Sequence, residues 1–250
     1  MEANEAQAKD KELCEKYSII RPTLNEELLP DLKICVEERM KTTKWKAEWI
    51  HDGLLARFLK AFQTVEGTMQ ALEDYCEWRL KDDVDTTAAL TRDNDEDIKR
   101  QDTVGRATVF ETFFDRCGRP IMLVHVKNHD RYHGNYPSLL RYVIWLMEVT
   151  AQKAEELSAD KRFNLIFDLN GFSMRNMDFK YVKNFLNMLR YYYPERIAQA
   201  FIINYPWVFW GCWAIIKHWM NDVTQSKFIF AAYDQLNDFM DLEEMPLKVF

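Results

Sequence analysis

A chain of 250 residues with 48% hydrophobic and 29% charged side chains buries a sizeable core and is not a disordered segment. Its 40 acidic and 33 basic residues give a net charge of −7, which argues against a sequence-independent nucleic-acid binder. Only 7 glycines beside a 14% aromatic share argue against a glycine-rich phosphate loop, and for a large apolar interior or a surface that meets something greasy.

Residues 1–20 read as a polar lead-in. Residues 24–40 carry Leu24, Leu28, Leu32, Ile34, Val36 and Met40 at roughly helical spacing, with Pro30 as a breaker. In residues 45–62, Trp49, Ile50, Leu54, Leu55, Phe58, Leu59 and Phe62 form a helical stripe. Thr64 is the expected N-cap of a further helix to about Leu80, which buries Met69, Leu72, Tyr75 and Cys76. Residues 81–103 are acidic and read as a linker with one or two short helices. The first third is therefore expected to be all-helical.

After residue 104 the period changes. Residues 107–112 and 120–126 are β-rich runs on either side of the turn Arg116-Cys117-Gly118-Arg119. A long helix is expected over 136–157, then a buried strand over 163–169 closed by Asn170-Gly171. A helix over 177–193 stops at Pro194, and a strand follows over 197–203. Next come a helix over 206–220 with its proline in the permitted first turn, a strand over 228–231, and a short helix over 234–240. Strands alternating with helices mean βαβ units with at least partly parallel pairing. The predicted class is α/β, with a helical lobe over 21–103 and a mixed sheet with flanking helices over 104–250.

Several candidate sites fail. Asp93, Asp95 and Asp97 imitate a calcium loop, but Ile98 stands where the turn glycine belongs and Val104 where the closing acid belongs. His125, His129 and His133 recur every fourth residue, yet they follow a strand pattern and precede Gly134 and Pro137, so they do not share a helix face. No GxGxxG, GxxxxGK[ST] or GxSxG motif occurs. Cys14, Cys35, Cys76, Cys117 and Cys212 are widely spaced and form no CxxC, which reads as reduced thiols in a cytosolic protein. The N-terminus reads as no signal peptide, and residues 201–220 are too interrupted for a spanning helix. Asp168, at the end of a strand, reads as an acid bonded to turn amides.

Two features remain. Glu195 sits just before the strand over 197–203 and Lys227 just before the strand over 228–231. If these strands are parallel neighbours ~4.8 Å apart, both side chains start from one sheet edge. They then form either a surface ion pair or, with Arg196 and Thr224, a polar contact set for a headgroup. The second feature is the aromatic helix. Trp207, Trp210 and Trp213 recur every third residue among Phe209, Cys212, Ile216 and Trp219, so this helix is either buried or faces lipid.

The residues Asp52-Gly53-Leu54-Leu55-Ala56-Arg57-Phe58-Leu59-Lys60-Ala61, Trp78-Arg79 and Gly118-Arg119-Pro120 open a series of short motifs. Phe167-Asp168-Leu169-Asn170-Gly171, Tyr192-Tyr193-Pro194-Glu195-Arg196, Ile202-Ile203-Asn204-Tyr205-Pro206-Trp207-Val208-Phe209 and Met245-Pro246 continue it. In order and spacing the series resembles the CRAL-TRIO (Sec14-like) lipid-binding family over roughly residues 45–247.

The resemblance implies a helical lobe ahead of an α/β lobe whose sheet floors a large apolar pocket. It also implies a gate helix over 206–220 that opens at a membrane. Glu195 and Lys227, with Thr224, match the inositol phosphate contacts of phosphatidylinositol-binding members. Pocket and gate positions are Phe163, Leu165, Phe167, Trp207, Phe209, Trp210, Trp213 and Ile216. Two departures stand out. Phe62-Gln63 replaces the basic residue usual after the Arg-Phe-Leu-Lys-Ala segment. Phe163 and Leu165 stand where hydroxyls would contact phosphatidylcholine.

The family usually closes with glycines where this chain stops at Phe250, so further sequence is expected beyond it. The expected function is reversible binding and transfer of a phosphatidylinositol-type phospholipid. It proceeds without a cofactor or catalytic step, in a cytoplasmic protein that touches membranes transiently. The alternatives are a carrier of a tocopherol, retinoid or sterol-like ligand, and a docking module that transfers nothing.

Overall fold

The computed structural model describes residues 3–132 and 135–246. Helices come first: α1 (Ala3–Tyr17), α2 (Leu29–Met40), α3 (Asp52–Phe62), α4 (Val65–Lys81), α5 (Val84–Ala88) and α6 (Glu96–Thr103). Two adjacent residues make the corner between α3 and α4. Gln63 adopts the left-handed conformation at φ 65° and ends α3. Thr64 is extended, and its hydroxyl accepts the Gly67 N–H at 3.1 Å to start α4, as expected. Leu54, Leu55, Phe58 and Leu59 of α3 and Ala71, Leu72, Tyr75 and Cys76 of α4 are buried in one shared core.

Two boundaries differ from the sequence reading. α2 starts at Leu29 after a short 3-10 turn (Glu26–Leu28), and Pro30 lies in its first turn, where no N–H is required. α3 starts only after His51, whose Nδ1 accepts the Leu54 N–H at 3.3 Å. Trp49 is buried ahead of the helix with its indole N–H on Asp85 at 3.0 Å.

Residues 3–17 form helix α1, where a polar lead-in was expected. Leu13 and Ile19 are buried with Phe239 against the back of the sheet. Asp10 pairs with Arg119 at 2.7 Å and with Arg21 at 3.0 Å.

The second lobe holds β1 (Ala107–Phe114), β2 (Pro120–His125), α7 (Tyr136–Leu157), β3 (Phe163–Asp168), α8 (Phe179–Tyr191) and β4 (Ile197–Ile203). It continues with α9 (Phe209–Ile216), α10 (Asp222–Ser226), β5 (Phe228–Phe230) and α11 (Tyr233–Phe239). The strands lie in the order β1-β2-β3-β4-β5. β1 is antiparallel to β2, and every later pair is parallel. The class is therefore α/β with a mixed, mostly parallel sheet.

Alternation along the strands sorts side chains to two faces. Met122, Leu165, Ala200 and Ile202 join the core shared with α7, α8, α9 and the helical lobe. Ile121, Leu123, Ile166, Phe201, Ile203 and Ile229 form a second core with α1 and α11. β4 is buried at every position, as a parallel strand covered on both faces must be.

The helix expected over 206–220 is shorter than that range. Pro206 precedes the helix, and its carbonyl accepts the Phe209 N–H at 2.9 Å in a tight turn. α9 then runs only to Ile216, and Lys217–Trp219 continue as a 3-10 turn. Val208 at the N-cap has no side-chain acceptor to extend the helix upstream. His133 and Phe250 lie outside the described residues.

Candidate functional site

Parallel pairing of β4 and β5 brings the starts of both strands to one edge of the sheet. Glu195 lies in the preceding turn in the left-handed region at φ 54°. Lys227 closes α10 directly before β5. The Lys227 ammonium donates to Glu195 Oε1 at 2.8 Å, and the two side chains are only 8% and 11% exposed. Burial pushes the Lys227 pKa down, Glu195 partly offsets this, and Arg21 and Arg162 depress it further.

This pair lines a polar cavity of about 510 Å³. Thr224 lines it too, its backbone N–H held by Asn221 Oδ1 at 2.9 Å. Arg196 takes another direction. Its guanidinium donates to Lys161 O at 2.9 Å and pairs with Glu155 at 2.6 Å, outside this cavity. Three cations that the sequence reading did not assign, Arg21, Lys60 and Arg190, line the cavity as well. Lys60 lies in the quoted Arg-Phe-Leu-Lys segment, so its signal was present in the sequence. The basic residue absent at Gln63 is thus not the only source of positive charge here.

A second cavity of about 180 Å³ lies between the front of the sheet and α7, α8 and α9. Phe167, Phe209, Trp213 and Ile216 line it. Phe228 borders both cavities. Phe163 and Leu165 line neither: they are fully buried in the packed core.

Trp207 and Trp210 also lie outside the cavities, 85% and 48% exposed, and Trp210 stacks on Phe230 at 4.6 Å. α9 therefore has one face turned inward through Trp213 and another turned to solvent through Trp210. The apolar cavity is smaller than the large pocket anticipated. It barely exceeds the ~150 Å³ void that holds benzene and is below the ~300 Å³ of small-molecule pockets. Aromatic rings fill the space: Trp213 meets Phe228 at 5.6 Å and Phe230 at 5.0 Å.

One end of the apolar cavity is polar, lined by Arg106, His125, His129, Asp178 and Tyr181. Sequence reasoning set His125 and His129 aside as a metal motif and missed Arg106 and Tyr181. Among the described residues no group of His, Cys, Asp or Glu side chains is arranged to hold a metal ion. Asp168 holds its turn as expected, accepting the Asn170 N–H and the Asn204 side-chain amide, each at 2.9 Å. Among the described residues no helix is long and apolar enough to cross a membrane.

The model of the CRAL/TRIO domain matches residues 105–249. A CRAL-TRIO domain-containing protein of Schizosaccharomyces pombe, C3H8.02, is 30% identical over 204 residues, covering 80% of this chain and 45% of that protein. The phosphatidylinositol transfer protein CSR1 of Eremothecium gossypii is 29% identical over 206 residues, covering 79% of this chain and 46% of that protein. The chain thus spans about half the length of these two curated relatives. Among solved structures, Sfh5 matches with a TM-score of 0.57 at 21% identity, over 71% of this chain and 63% of the other, a likeness of fold.

Proposed function

This chain belongs to the CRAL-TRIO family, and on that footing we propose that it takes up a phosphatidylinositol-type phospholipid and carries it between membranes. The observation that carries this reading is the buried Lys227–Glu195 pair in a polar cavity that shares Phe228 with an apolar one. A lipid with an anionic polyol head and a greasy tail has that same division. The name of the relative CSR1 supports the choice of head.

Lys227, with Thr224, Lys60 and Arg190 beside it, supplies donors to the phosphate, and Glu195 accepts from head hydroxyls. Each buried acyl methylene contributes about 0.8 kcal/mol, so the affinity comes from the pocket and no catalytic group is needed. The closed cavity is too small for the two acyl chains of a phospholipid, so its uptake requires outward movement of α9, favoured where Trp207 and Trp210 enter a bilayer surface. The protein then works in the cytoplasm and meets membranes transiently.

Mass spectrometry of lipids that co-purify with the protein tests this. Phosphatidylinositol is the expected species, and recovery of sterol, tocopherol or retinoid species alone overturns it. That outcome is the second reading, a carrier of a compact hydrophobic ligand, and the small apolar cavity favours it. Vesicle binding without lipid exchange instead identifies a docking module.

A further inference from the structure

The polar end of the apolar cavity contains donors without acceptors. Arg106 stands directly before β1, with its carbonyl on the His125 N–H at 2.8 Å. Its Nε donates to Gln101 Oε1 at 3.2 Å and its Nη1 to Asn128 O at 2.5 Å. Among the described residues Nη2 has no hydrogen-bond partner, and no carboxylate forms an ion pair with this guanidinium. Burial depresses the Arg106 pKa, and Tyr181, Tyr142 and Asp130 offset only part of that effect.

Beside it, the His129 ring stacks on Tyr181 with centroids 5.2 Å apart and planes at 23°. His129 Nε2 is buried without a hydrogen bond, and the nearest acid oxygen, on Asp178, is 4.0 Å away. Burial, reinforced by Arg106, holds His129 below its ordinary pKa, while burial raises that of Tyr181. The imidazole is therefore neutral and the phenol protonated near neutral pH. The Tyr181 hydroxyl has no hydrogen-bond partner among the described residues.

Buried polar groups are normally bonded, and His129 Nε2 is one that is not. A guanidinium N–H, a phenol O–H and an imidazole nitrogen thus line an otherwise apolar cavity without a hydrogen-bond partner among the described residues. We propose that this end is a second ligand subsite, separate from Glu195 and Lys227, that takes the carboxylate of a single-chain amphiphile of the fatty-acid class.

The head lies against Arg106, Tyr181 and His129, and the chain runs along Phe167 toward Phe209 and Trp213 of the gate. The planar guanidinium matches a planar carboxylate. A cavity of about 180 Å³ suits one chain better than two. Asp178 and Asp130, the nearby acids, favour a monoanion over a doubly charged phosphate. The inference shares the apolar cavity with the phospholipid reading but not its headgroup pair.

Titration of tryptophan fluorescence with dodecanoate and 1-dodecanol tests it, since Trp213 lines the cavity. The wild type is expected to bind dodecanoate about tenfold or more tighter than the alcohol, the difference a charge-assisted hydrogen bond makes. Arg106→Met is expected to abolish this preference and still bind the alcohol. Tyr181→Phe, which removes one oxygen, is expected to weaken dodecanoate severalfold, and it carries the test if Arg106→Met does not fold.

Absent binding of dodecanoate, equal affinity for both probes, or a preference that survives both substitutions overturns the proposal. Phosphatidylinositol transfer by Lys227→Ala reads the other pole, so the two readings fail independently.

Discussion

Lys227 and Glu195 are separated by 32 positions in sequence and 2.8 Å in space, because two parallel neighbouring strands begin at the same edge. Their side chains are nearly sealed from solvent, so removing one partner is costly. Lys227→Met leaves a buried carboxylate and is expected to destabilise the fold by about 3 kcal/mol. The double variant Glu195→Gln/Lys227→Met removes both charges and is expected to recover most of that loss. Neither variant should transfer phosphatidylinositol. Urea denaturation gives the stabilities and a vesicle assay gives the transfer. Wild-type transfer by the stable double variant would refute the headgroup role.

Trp207 is a large apolar side chain held almost wholly in water. Trp207→Ala is expected to change stability by no more than about 0.5 kcal/mol, as surface substitutions do. Vesicle partitioning should fall about tenfold or more, the loss of one buried aromatic side chain. Sedimentation with liposomes measures it. Unchanged partitioning would remove Trp207 from the membrane contact.

Asp10 anchors α1 through Arg119, Arg21 and Arg162. Burial alone would raise its pKa, but the arginines outweigh that and hold the carboxyl below its usual 3.8. The folded state thus binds its proton less readily than the unfolded chain. The stabilisation is complete well above pH 3.8 and is lost as pH falls through that value toward the folded pKa. Asp10→Asn is expected to cost about 3 kcal/mol at pH 7, and the gap from wild type should narrow as the medium is acidified below pH 4. Denaturation at both pH values checks the sign.

Ligand removal should be visible in stability. A lipid that binds only the folded state adds about 2.7 kcal/mol at 100 times its Kd. Protein stripped of lipid is therefore expected to melt several degrees lower and to recover on reloading with phosphatidylinositol, as calorimetry would show. Recovery with an unrelated phospholipid alone would redirect the ligand assignment.

Sequence periodicity located α7 and β4 to the residue, because both are long, strongly patterned and bounded by clear breakers. The parallel order of β4 and β5 was legible from the crossover between them, and so was the meeting of Glu195 with Lys227. Arg196 was not. The left-handed turn at Glu195 sends the next side chain another way, and Arg196 pairs with Glu155 instead. α1 was missed because its apolar stripe is sparse and its anchor is ionic. Leu13 and Asp10 meet partners far along the chain, which no local pattern reveals. Arg106 escaped for the same reason: its neighbours His129 and Tyr181 come from separate segments.

The two outer strands give the sheet poor margins. β1 loses register with β2 between Val109 and Phe114, and β5 is only 3 residues long before the chain turns into α11. A long, flat outer strand is a template on which another copy can build a fibril. On the proposed outward movement of α9 its rings would meet solvent, and these short or irregular outer strands would give such a contact little backbone ladder to build on. Trp207 and Trp210 would then stay exposed at a lower risk of seeding a fibril from the sheet's edges.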